Sequence, residues 1–196
     1  MIVILDNGHG ADTFGKRSPE GMLTDSGVTA LFEYEFNRDI VERLIKLLDA
    51  HDIDFYELVP ERHDVSLPVR VERANKVWDK TRGRAFLVSI HANAGGGTGW
   101  EVFTSLGQTE SDKIAQIFAE KAVKHFPEFS MRWDQVDGDF DKEAQFYILK
   151  YTKCPAILTE NFFMDHEKDL KFILSNEGRQ RIAEHHFDSL RTYMEL

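Results

Sequence analysis

Three short segments end in side chains able to bind a metal or move a proton: IVILDNGHG carries His9, FLVSIHANA carries His91 and AILTENFF carries Glu160. A fourth donor, Glu33, stands in LFEYEFNRDI. Imidazole nitrogens and carboxylate oxygens are the donors that hold a catalytic zinc, which keeps three protein ligands and one open position for water. Two imidazoles and a carboxylate from separate elements would make such a site. The spacing alone is unspecific, because tens of residues separate the donors and no short signature such as H-E-x-x-H joins them. A histidine at a strand end is as readily a buried ring bonded to backbone. Gly8 and Gly10 flank His9; bare backbone there lets a ligand approach closely, but the same pair also makes a plain tight turn. Glu35 rivals Glu33, and since two residues along a helix turn a side chain by about 200°, both cannot face one centre.

The elements that must position these residues are read from hydrophobic periodicity. Ile2 to Leu5, Ile53 to Val59, Phe86 to Ile90, Trp100 to Thr104, Phe146 to Leu149 and Ala156 to Thr159 read as strands. Between them, Phe36, Ile40, Leu44, Leu47 and Leu48 recur at helical spacing, with Glu42, Arg43, Lys46 and Asp49 on the wet side. Ser66 is placed to cap a helix with Pro68 in its first turn. Further helices are expected over Ser111 to Phe126, Lys168 to Leu174 and Gly178 to Met194, with irregular stretches up to about Thr29 and from Phe129 to Lys142. Strands alternating with helices predict an α/β fold: one six-stranded sheet, mostly parallel or mixed, with helices on both faces. Ligands in such sheets collect outside the carboxyl ends of the strands.

Length and composition bound the rest. A chain of 196 residues with 42% hydrophobic content predicts a single domain over 1–196 with a sizeable core. A formal charge of −10, from 24 basic and 34 acidic residues, opposes a polyanionic partner, so nucleic acid is not expected. The single cysteine, Cys154, excludes an internal disulfide and a cysteine-based zinc site, and as the residue before Pro155 it is expected to be a packing residue. The start MIVILDNGHGADTF lacks a basic region, and its short apolar run reads neither as a signal peptide nor as a membrane span.

In order and interval, LDNGHGAD, the Glu33-x-x-x-Asn37 pair, DVSLPVRVERAN, LVSIHANA and PAILTENFF resemble the zinc-dependent N-acetylmuramoyl-L-alanine amidases of the amidase-3 family, over nearly the whole chain from Ile2 to about Ile182. The resemblance implies one Zn²⁺ bound by His9, Glu33 and His91, with Glu160 as the catalytic carboxylate. It favours Glu33 over Glu35 through the spacing to Asn37. It implies hydrolysis of the amide between the muramic acid lactyl group and L-alanine of peptidoglycan; separately, the chain is expected to be a monomer with no membrane partner. The chain would then be a phage-type lysin released from the cytoplasm or an exported protein whose leader was removed. Departures from the pattern are Asn7 where proline is usual, Ala11 where a second glycine is frequent, Asn161 after the catalytic glutamate, and a long stretch from Thr13 to Phe32. Two other functions compete: a zinc peptidase acting within the stem peptide, and a metal-stabilised wall-binding module without turnover.

The remaining chemistry-bearing residues have plainer readings. His51, His63, His125, His166, His185 and His186 are expected on the surface or at helix caps. Gly95 to Gly99 lacks the Lys and Ser or Thr of a phosphate loop and reads as a flexible turn or a rim beside His91. Arg70 and Asn75 are read as braces ahead of substrate contacts, and Lys16 and Arg17 either as a solvated pair or as binders of stem-peptide carboxylates. Trp100, Trp133 and Phe162 are read as core packing ahead of a cleft lining.

Overall fold

The computed structural model describes residues 1–24, 28–134 and 138–195. In chain order the elements are β1 (Ile2–Asn7), α1 (Glu33–Asp49), β2 (Phe55–Glu57), α2 (Leu67–Lys80), β3 (Ala85–Asn93), β4 (Trp100–Thr104), α3 (Glu110–His125), β5 (Lys142–Glu143), α4 (Tyr147–Tyr151), β6 (Ala156–Phe163), α5 (Glu167–Leu174) and α6 (Asn176–Met194). The strands form one six-stranded sheet in the order β2-β1-β3-β6-β4-β5. It is mixed: β1 is parallel to β2 and β3, β3 is parallel to β6, and β4 runs antiparallel to β6.

Both faces are covered, which is why the central strands read as continuous apolar runs. Val3, Leu5, Val88 and Ile157 pack with Phe36, Ile40 and Leu44 on one face. Ile4, Leu87 and Leu158, pointing the other way, pack with Val71, Ala74, Ile148 and Leu149. The first layer holds α1, α3, α5 and α6; the second holds α2 and α4. The chain therefore leaves β1 through α1 on one face to reach β2, then crosses through α2 on the opposite face to reach β3. The direction of winding reverses between β1 and β3, and a crevice opens at their carboxyl ends.

Several boundaries differ from the sequence reading. Phe146–Leu149 is no strand: Tyr147 to Leu149 opens α4, where Ile148 and Leu149 are both buried and Tyr147 stacks on Tyr151 with ring centres 4.4 Å apart. A run of four apolar residues cannot separate strand from helix by period. The sixth strand is instead Lys142–Glu143, a charged two-residue edge of the kind that discourages further pairing. β3 and β6 run on to Asn93 and Phe163, so His91 and Glu160 lie within strands. Ser66 occupies the N-cap of α2, but its hydroxyl makes no capping bond. His185 and His186 are fully buried in the middle of α6, against expectation, because this helix is enclosed by α1, α3 and α5. The irregular stretch before α1 carries antiparallel bridges, Arg17 to Phe32 and Glu20 to Thr29, and the one after α3 bridges Met131 to Trp100; positions 25–27 and 135–137 of these stretches lie outside the described residues.

Candidate metal centre

β1 ends at Asn7 and the chain turns through Gly8 into His9, whose φ of 65° is in the left-handed region. A side chain there costs on the order of 1 kcal/mol or more, so the surroundings must hold it. They do so through three successive carbonyls. Arg70 Nη1 donates to Asn7 O at 3.3 Å, Asn37 Nδ2 to Gly8 O at 2.9 Å, and Arg38 Nη1 to His9 O at 3.0 Å, with Arg70 Nη2 on the same oxygen at 3.4 Å. Arg70 is buried and itself fixed by Asp6 at 2.7 Å and Asp64 at 2.8 Å, and the second oxygen of Asp6 accepts from Ser89 Oγ. The bracing role read for Arg70 is thus visible. Gly8 is needed for a separate reason: a Cβ there would overlap the His91 ring.

Glu33 is the first residue of α1, and its N–H donates to Lys16 O at 3.0 Å. Its side chain is buried, whereas Glu35 is exposed and accepts from the Tyr34 hydroxyl. Glu33 Oε1 lies 3.3 Å from His9 Nε2 and 3.0 Å from His91 Nδ1, and all three donor atoms fall within 4.8 Å of one another. The two rings stand edge to face, 4.9 Å apart at 89°. Donors about 2.0–2.1 Å from a tetrahedral ion are about 3.3 Å from each other, so this set fits a zinc-sized cation. Among the described residues these are the ones grouped closely enough to hold a metal. Burial by itself would raise the Glu33 carboxyl, but hydrogen bonds to His9 and His91 outweigh it and hold the group below the ordinary carboxylate range. Burial likewise opposes a charge on His91, yet the bond to Glu33 and the neighbouring carboxylates raise its pKa.

Glu160 sits directly across from His91 in the β3–β6 register, and its buried Oε2 has no hydrogen-bond partner. Burial pushes its carboxyl up to about 8, against the charge of His91. Next to it, the neighbouring Asn161 Nδ2 donates to His91 O at 3.0 Å, and Asn161 Oδ1 accepts from Trp100 Nε1 at 3.0 Å. On the other side, Glu101 is paired with Glu160 in the β4–β6 register; it accepts from Asn93, Arg132 and Lys142.

The crevice has two arms that meet at this centre. One, of about 410 Å³, has an apolar wall of Val65, Leu67, Phe146, Tyr147 and Ile148. The other, of about 260 Å³, is bordered by Phe14, Gly15, Asn93, Ala94 and Met164. The glycine-rich turn after β3 is tied down, with Asp165 accepting from Gly95 and Gly96 N–H and Asp169 from Gly99 N–H. Trp100 and Phe162 are core residues as expected, whereas Trp133 is half exposed against Phe140. Cys154 is buried, which pushes its thiol up to about 12. Asn75 braces the connection between α4 and β6, bonding Tyr151 O and Lys153 N–H. Sequence reasoning missed Asp6, Arg38 and Glu101; for Asp6 and Glu101 the available signal was a charged residue within a strand pattern, whereas Arg38 lies in α1 and carried none.

The model of the family described as N-acetylmuramoyl-L-alanine amidase matches residues 3–192. The chain belongs to the N-acetylmuramoyl-L-alanine amidase family. Within it, the chain is 33% identical over 126 residues to the amidase CwlM of Bacillus licheniformis, covering 64% of this chain and 45% of that protein. It is 32% identical over 134 residues to a sporulation-specific N-acetylmuramoyl-L-alanine amidase of Bacillus subtilis, covering 67% and 47%. The matched region thus spans about half the length of these curated relatives. The crystal structure of an N-acetylmuramoyl-L-alanine amidase from Clostridium difficile 630 superposes with a TM-score of 0.80 at 24% identity, covering 99% of this chain and 96% of that one; it supports the amidase fold.

Proposed function

We propose that this chain is a catalytic domain, spanning 1–196 and acting as a monomer, that hydrolyses the amide between the muramic acid lactyl group and L-alanine of peptidoglycan with one Zn²⁺. The observation that carries this reading is the convergence of His9 Nε2 and His91 Nδ1 on Glu33 Oε1 beside the unpartnered carboxylate of Glu160. His9, Glu33 and His91 would hold the metal; when bound, zinc supplies Lewis acidity that polarises the scissile carbonyl and acidifies water. Glu160 Oε2 takes the proton of the attacking water and delivers it to the leaving nitrogen, since an amine does not depart as an anion. Its place opposite His91 in the β3–β6 register, with Oε2 committed to no other partner, suits both halves of that task. The two arms of the crevice give room for glycan on one side and stem peptide on the other. The names of the relatives support the choice of bond.

Mass spectrometry of muropeptides after digestion, with and without a chelator, tests the reading. An intact stem with a free L-alanine amino group, lost on chelation and restored by zinc, is expected. A shortened stem left on the sugar would make the chain a peptidase, and binding to sacculi without any release would make it a wall-binding module.

A further inference from the structure

Three residues line both arms of the crevice: His91, Glu160 and Lys16. The first two belong to the chemistry already described, and Lys16 faces the same junction with a cation. Its backbone is not that of a loose loop. Lys16 O accepts from Glu33 N–H, Arg17 bridges Phe32, and Ser18 N–H donates to Leu31 O at 2.9 Å while its hydroxyl accepts from Ala30 and Leu31 N–H. Lys16 is therefore rooted on the residue that presents the central carboxylate.

The ammonium is uncommitted where its neighbours are not. Arg17 pairs with Glu20 at 2.8 Å, and Arg70, the other basic residue lining the larger arm, is consumed by Asp6 and Asp64. Lys16 makes no salt bridge among the described residues, and its charge is felt at Glu160. In a chain of net charge −10, a free cation at the junction of a reaction cleft is matched to an anionic group on the substrate.

We infer that Lys16 recognises a free carboxylate on the stem peptide, the α-carboxylate of a γ-linked glutamate that directly follows the L-alanine released by the cut. The inference rests on the amidase reading and adds to it a substrate class: stems carrying this carboxylate bind in preference to those in which it is amidated. A charge-assisted contact of this kind is worth roughly tenfold in affinity or more.

The test uses zinc-loaded chain and two muramoyl peptides that differ only in that group, one with the free α-carboxylate and one with the α-amide. Wild type is expected to favour the carboxylate roughly tenfold in kcat/KM. Lys16→Met should bring the two substrates level by raising KM on the carboxylate form, with zinc content unchanged by elemental analysis, and Lys16→Arg should restore the preference. Added salt should erode the wild-type preference. A preference that survives in Lys16→Met, or a wild type indifferent to the two groups, overturns the role of Lys16 while leaving the amidase reading intact. Wild type that leaves both lactyl amides whole overturns the amidase reading and this one with it.

Discussion

His186 offers a quantitative test of how the core responds to acid. Its ring is fully buried, with Nδ1 on Ile182 O at 2.8 Å and Nε2 on Thr159 Oγ1 at 3.0 Å, so both nitrogens are used by a neutral ring. Burial, only partly offset by the bond to Ile182, lowers its pKa from 6.5 to about 4. Below 6.5 the unfolded chain takes up a proton that the native state refuses. The stability tied to the neutral ring is therefore complete above that value and is lost as the pH falls towards 4. At about 1.4 kcal/mol per tenfold, the whole gap is worth about 3 kcal/mol, a large part of the roughly 5–15 kcal/mol that holds a domain together. His185, whose pKa burial also drives down, lies 5.1 Å away, so the two contributions are not additive. Urea midpoints measured from pH 7.5 to 4.5 on wild type and His186→Gln isolate the effect, because carboxylates common to both proteins cancel. Whatever constant offset glutamine brings at pH 7.5, the gap between the two proteins should shrink by about 2–3 kcal/mol at pH 4.5. Parallel curves across that range would refute the reasoning.

Other perturbations follow from the centre. Glu160→Gln should keep fold and zinc while losing roughly 10²- to 10⁴-fold in turnover, read by muropeptide release alongside metal analysis; near-normal turnover would remove Glu160 from proton transfer. His9→Ala or His91→Ala should lose the metal, and unchanged zinc in both would disprove the ligand set. Gly8→Ala should impair zinc binding because the added methyl and the His91 ring compete for one space; chelator competition measures it, and wild-type affinity would show that the turn yields. Asn37→Ala strands the buried Gly8 carbonyl and should cost about 1–3 kcal/mol in denaturation, together with weaker zinc affinity.

The donors were legible because each sits at or near the end of a strongly patterned segment: His9 after a buried run, His91 and Glu160 in strands of continuous apolar residues, and Glu33 at the start of an amphipathic helix. Choosing Glu33 over Glu35 by periodicity was not possible, and burial separates them. α4 was misread because its four apolar residues carry no period, and β5 was invisible because its two charged residues owe their pairing to β4 alone. The burial of His185 and His186 depends on which helices surround α6, a tertiary fact that local sequence does not hold. The same is true of Arg38, whose guanidinium reaches His9 O across 29 positions.

The first two turns of α1 carry Glu33 together with Asn37 and Arg38, the side chains that grip the Gly8 and His9 carbonyls. Two donors from opposite ends of a long excursion are thereby mounted on a common rigid body, and a tilt of that body carries both along. The spacing between those two donors is thereby set by the grip of the helix on the turn, and not by the chain threaded between them.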